Sequence, residues 1–188
     1  MRTIRTKIYK FEELSEDAQQ TAIDKMREIN VNYDSWHDGI LEGCKEKLDE
    51  VGFLNSEIWY TGFHSQGDGL CFDAKIDVSK FATTPNEKRV VKLIDAGLIE
   101  NPSILKTSFA NHYSHENTRF VDYDTTDKKN IDEALKDICY TIELNRIALC
   151  KDFYNTLYKE YEYLQSDEVV KETILANDYE FTENGNIF

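Results

Sequence analysis

The stretch Gly62-Phe63-His64-Ser65-Gln66-Gly67-Asp68-Gly69 holds the densest set of groups in this chain that could do chemistry, and three of the eight glycines lie in it. Glycine lets a backbone take positive φ or approach a ligand closely, and turns with exposed amides form anion-binding concavities. The side chains of His64, Ser65, Gln66 and Asp68 add donors and acceptors. His64, Ser65, Gln66, Gly67, Asp68 and Gly69 are therefore the candidate ligand-binding set. A Walker loop or a dinucleotide fingerprint would need a lysine, a different spacing and a following helix, and all three are absent. The plainer reading of the same residues is a hairpin loop that needs glycine for its geometry.

His112 and His115, with Glu116 beside them, fall in a second loop. Two histidines three apart could hold zinc or a transition ion if His64 or Asp68 supplied a third ligand. Two polar hairpin residues are the plainer reading, so no metal and no cofactor is assigned. Whether the loops meet depends on topology. If the strands Leu70–Val78 and Ile104–Tyr113 run antiparallel, both loops lie at one end of the sheet. If the helix between the strands is a crossover, the loops lie at opposite ends. Arg119 could assist an anionic ligand only in the first case. No GxSxG is present and no cysteine adjoins a histidine. No catalytic residue is assigned, and the balance favours a non-enzymatic protein.

Cys44, Cys71, Cys139 and Cys150 show no paired metal spacing. Cys139 and Cys150 would stand about 16 Å apart along one helix, too far for a disulfide. All four read as small core residues in a reducing compartment. Phe153, Tyr154, Tyr158, Tyr161 and Tyr163 crowd one part of that helix and read mainly as packing.

The chain's net charge of −14 argues against direct binding of nucleic acid or an anionic membrane. The charge is uneven. Residues 1–10 carry +4, residues 11–50 carry −8, residues 51–130 carry −2 and residues 131–188 carry −8. If residues 11–50 form one helical layer, their charge is spaced at roughly one per 3 Å, against one per ~1.7 Å in duplex DNA. Glu12, Glu13, Glu16, Asp17, Asp24, Glu28, Asp38, Glu42, Glu46 and Asp49 are accordingly the candidate partner-binding set, facing a basic protein surface. An ordinary solubilising face is the plainer reading.

These groups need a scaffold, and the periodicity of the chain supplies one. Alternation at Ile4, Thr6, Ile8 and Lys10 predicts a strand. Ser15 caps a predicted helix to Ile29, and Asp34 or Ser35 caps a second that Gly52 stops. Strands follow at Ser56–Phe63 and Leu70–Val78. Thr84-Pro85-Asn86-Glu87 reads as a capping box opening a helix that runs to Gly97. A hairpin follows over Ile104–Tyr113 and Thr118–Asp124. A long helix from Asn130 carries an apolar stripe of Ile131, Leu135, Ile138, Ile142, Leu149, Phe153, Leu157, Tyr161 and Leu164. Ser166 opens a shorter helix to Ala176, and Asn184-Gly185 turns a small hairpin. The order predicts one α+β domain over 1–188 with an antiparallel or mixed central sheet. Its parts are an acidic helical pair (11–52), a sheet with an inserted helix (56–124), C-terminal helices (130–177) packed across it, and a small hairpin (178–188). No apolar run is long enough to cross a bilayer, and the N-terminus lacks an apolar signal core.

The segments YKFEELSEDAQQTAIDKMREINVNYDSWHDGI, GFHSQGDGLCF and YEYLQSDEVVKETILANDYEFTENG resemble a family of small acidic proteins of tailed phages and prophages, often labelled antitoxin-like. The resemblance implies an accessory protein of a phage or mobile element acting in the bacterial host cytoplasm, and it transfers no functional residue. The leading expectation is a non-enzymatic protein that binds and inhibits a host factor, possibly one of a defence system, through its acidic surface. One alternative is a binder or sponge for a small ligand or nucleotide signal at the glycine-rich loop. The other is a metal-dependent hydrolase using His112, His115 and Asp68.

Overall fold

The structure, a computed structural model, describes residues 6–107, 113–124 and 129–188. In chain order its elements are β1 (Tyr9–Lys10), α1 (Glu16–Lys25), α2 (Asp38–Val51), β2 (Phe53–Thr61), β3 (Gly69–Ile76), α3 (Pro85–Asp95), β4 (Ser103–Lys106), β5 (Arg119–Asp122), α4 (Lys129–Leu164), α5 (Asp167–Ala176) and β6 (Glu180–Phe181). The expected α+β class and long C-terminal helix hold. The strands form three two-stranded antiparallel ladders, β1–β6, β2–β3 and β4–β5, rather than one continuous hydrogen-bonded sheet among the described residues.

The chain folds as two compact units, residues 1–38 with 158–188 and residues 39–157. The expected helical pair is therefore split: α1 belongs to the first unit and all but the first residue of α2 to the second. In the first unit, Phe11, Leu14, Ala18, Ala22, Ile23 and Met26 pack on Val170, Ile174 and Phe181. The Ser15 and Ser166 hydroxyls cap α1 and α5, accepting from the Ala18 and Val169 amides. α1 ends at Lys25 rather than Ile29. The residues beyond it bond elsewhere: Arg27 donates to the Gln165 carbonyl, and Asn30 donates to the Leu164 carbonyl and accepts from Thr173. These bonds compete with continuation of the helix. The tail turns at Gly185, whose φ is +72° and where a Cβ would run into the Ala18 carbonyl oxygen, so only glycine fits there.

In the second unit, Phe53 packs edge-on to Phe72 at 5.1 Å within a core that includes Leu48, Leu70, Val90, Leu135, Ile138 and Ile142. α3 opens with the expected capping box. The Thr84 hydroxyl accepts from the Glu87 amide, and the Glu87 carboxylate accepts from the amides of Thr83 and Thr84. Those bonds, led by Thr84, hold the Glu87 carboxyl below its ordinary value of 4.5 despite its burial.

The apolar stripe of α4 runs through a residue that the sequence pattern passes over. Leu149 is only half-buried, and the buried line goes through Ile142, Arg146, Cys150 and Phe153. Arg146 is wholly buried, with 0% exposure. Its Nε donates to Glu143 Oε2 at 2.9 Å and its Nη2 to Oε1 at 2.6 Å. Glu143 Oε2 also accepts the backbone N–H of Val121 on β5 at 3.0 Å. Burial alone would lower the guanidinium's pKa, but the Glu143 carboxylate outweighs it and the net shift is upward.

Two outcomes follow. Arg146→Ala leaves Glu143 facing β5 without its cation and opens a cavity, so urea unfolding shows a loss of about 3 kcal/mol or more. Glu87 is a group with a depressed folded pKa, so its cap acts fully above its unfolded value and is lost as pH falls below it. Wild-type protein therefore loses stability below about pH 4.5 more steeply than Glu87→Gln, which shows less of that acid dependence in thermal melts.

Candidate functional site

The two hairpin loops meet. A Cβ on Gly67 would collide with the ring of Tyr113, and one on Gly69 would stand 3.0 Å from the Cα of His115. Loops that touch lie at one end of their hairpins, as the antiparallel arrangement of β3 and β4 requires. The glycines at 67 and 69 are thus explained by close approach of the second loop.

The 62–69 loop is closed upon itself. Asp68 Oδ2 accepts the backbone N–H groups of His64 at 2.8 Å and Ser65 at 2.7 Å, and the Asp68 amide donates to the Ser65 carbonyl. Two of the loop's amides, those of His64 and Ser65, are therefore occupied by the loop's own carboxylate. Gly62 takes φ +26°, and a Cβ there would press on that carboxylate at 2.8 Å. From α4, the Tyr154 hydroxyl donates to the Gly62 carbonyl at 3.2 Å, and its ring lies 5.5 Å from Phe63, which stacks on Tyr60. His64, Ser65 and Gln66 are exposed, and Gly67 and Asp68 are half-buried.

His115 Nδ1 accepts from the Asn117 amide at 3.2 Å and lies 3.1 Å from Glu116, whose other oxygen is 3.7 Å from Lys151. His112 lies outside the described residues. Among the described residues no three His, Cys, Asp or Glu side chains are grouped to hold a metal ion. Arg119 is buried against Asp73 at 2.5 Å and under Trp59 at 5.2 Å from the ring centre, so its charge is already matched. Burial pushes the Cys44 thiol up to about 11 and the Cys139 and Cys150 thiols to about 12, which removes them as nucleophiles at neutral pH.

The acidic candidates Glu12, Glu13, Glu16, Asp17, Asp24, Glu28, Asp38, Glu42, Glu46 and Asp49 are all exposed. They do not form one layer on one unit: Glu42, Glu46 and Asp49 are on the 39–157 unit and the other seven on its companion. Charge still favours the smaller unit, where 16 acidic residues meet 8 basic ones, against 20 and 14 on the larger. Several of these acids have structural work. Glu13 accepts the Lys10 amide, Asp24 bonds Arg27 and Gln20, and Glu42 lies 3.5 Å from Lys45. The Arg27 and Gln20 bonds hold the Asp24 carboxyl below its ordinary value. The first turns of α1 and α5 line a groove of about 450 Å³ with Glu16, Gln19, Gln20, Ile23, Asp167, Glu168 and Lys171.

Sequence reasoning missed Tyr113 and Tyr154 as the residues that fix the loop. Tyr154 stood among helix aromatics read as packing, and nothing local marks Tyr113. No helix among the described residues is long and apolar enough to cross a membrane.

Two antiparallel hairpins joined at their loops and braced by a long helix define the 39–157 unit. Residues 36–167 match the model of a family described as a domain of unknown function (DUF8835), and the chain belongs to that family. No curated protein and no solved structure matches the chain. The matched span holds the whole of the 39–157 unit; α1 lies outside it, as does all of α5 after Asp167.

Asp68→Ala strips two amides of their acceptor. Because water can reach the loop, the expected cost is about 1–2 kcal/mol in urea unfolding. In the same loop, Gly67→Ala displaces Tyr113, and adding Tyr113→Ala to it restores the lost stability. An Asp68→Ala variant as stable as wild type would show that the carboxylate does not hold the loop.

Proposed function

We propose that this protein is a non-enzymatic binding protein whose acidic surface engages a basic patch on another protein. The observation that carries the reading is the concentration of acid on the unit formed by residues 1–38 and 158–188. Two helices begin there with exposed acidic pairs, Glu16-Asp17 and Asp167-Glu168, whose first turns line one groove. Negative side chains in a first helical turn interact favourably with the helix dipole. An exposed excess of acid steers a partner of opposite sign and sets its orientation. The resemblance to tailed-phage accessory proteins supplies the setting: the partner is a bacterial host factor, of a defence system or otherwise, met in the cytoplasm and inhibited by occlusion.

A second reading, a small polar ligand at the junction of the two loops, has one support: Gly67 and Gly69 bring Tyr113 and His115 against the 62–69 loop. Such a ligand would be held by side chains rather than by the His64 and Ser65 amides.

The two readings separate in one experiment. Glu12, Glu16, Asp17 and Glu28 are replaced together by lysine, and capture of host proteins is compared with wild type at about 50 and 500 mM salt, where the Debye length falls from roughly 14 to 4 Å. The proposal expects a protein captured by wild type at low salt, released at high salt and lost by the variant, with unchanged circular dichroism. Capture that ignores both salt and the four substitutions would overturn it. A small molecule released on denaturation of wild type, and absent from Gly67→Val, would favour the loop instead.

A further inference from the structure

We draw no further inference here: the strongest candidate, the groove of about 540 Å³ on the 1–38 and 158–188 unit with Met26, Ile29, Tyr179 and Ile187 in its lining and Asp24, Lys25, Arg27 and Glu28 beside them, has mixed charge around apolar side chains, and nothing in the structure shows what covers it.

Discussion

A fully buried guanidinium fixes the architecture of the larger unit. Removing Arg146 from water is costly, and the cost is offset only if its donors are satisfied and its charge is paired. Glu143, one helical turn earlier, pairs the charge and takes two of the donors, from Nε and Nη2, while Nη1 stands 4.0 Å from Cys150 Sγ. The same carboxylate then accepts the outward amide of Val121, so the pair that makes the arginine tolerable also ties α4 to β5. In an isolated two-stranded ladder such an amide would face water, or another chain's strand. Here a helix side chain takes that place. The loop end is fastened in the same manner: Tyr154, two turns after Arg146, reaches the Gly62 carbonyl. One helix thus holds both hairpins, and the glycine-rich loop inherits its position from α4 as much as from its own strands.

That dependence shapes what the loop can do. Asp68 is turned inward to the loop amides, and Gly67 and Gly69 make room for Tyr113 and His115. The Asp68 carboxylate and the His64 and Ser65 amides are thus committed to the loop's own geometry. The acidic unit differs, because most of its carboxylates are exposed and only some are committed to caps and ion pairs. Surface pairs of this kind contribute little to stability, at roughly 0–1 kcal/mol each. Their excess is thus better read through long-range electrostatics than through folding, and this joins the charge distribution to the binding role.

Much of the scaffold was legible in the chain because it rests on local rules. Ser15, Ser166 and the Thr84–Glu87 box mark helix starts through side-chain bonds within four residues, and Gly52 and Gly185 mark turns through positive φ. What was not legible is tertiary. Nothing near Arg27 or Asn30 announces that their side chains leave the helix for the carbonyls of residues 164 and 165. The helical period does point at position 146, but a charge there breaks the apolar pattern, which continues through Leu149 instead. The pairing of Glu143 with both Arg146 and a distant strand amide is what reconciles the charge with the stripe. Whether the two loops meet turns on strand direction, which no local pattern sets, and the close approach of Gly67 to Tyr113 shows that they do. The division of α1 and α2 between units had no sequence signal, since both helices carry the same acidic pattern.

The measurement that bears most directly on this account is a double-mutant cycle between positions 143 and 146. It uses Glu143→Ala, Arg146→Ala and the double variant, each unfolded in urea and checked for a native circular dichroism spectrum. If the buried pair is the joint on which α4 and the hairpins depend, each single change is severe and the second adds little. The coupling free energy is then about 2–3 kcal/mol, at the upper end for residues in contact. Additive losses, with a coupling below about 0.5 kcal/mol, would show that the two side chains act independently and that the unit is held together by its apolar core alone.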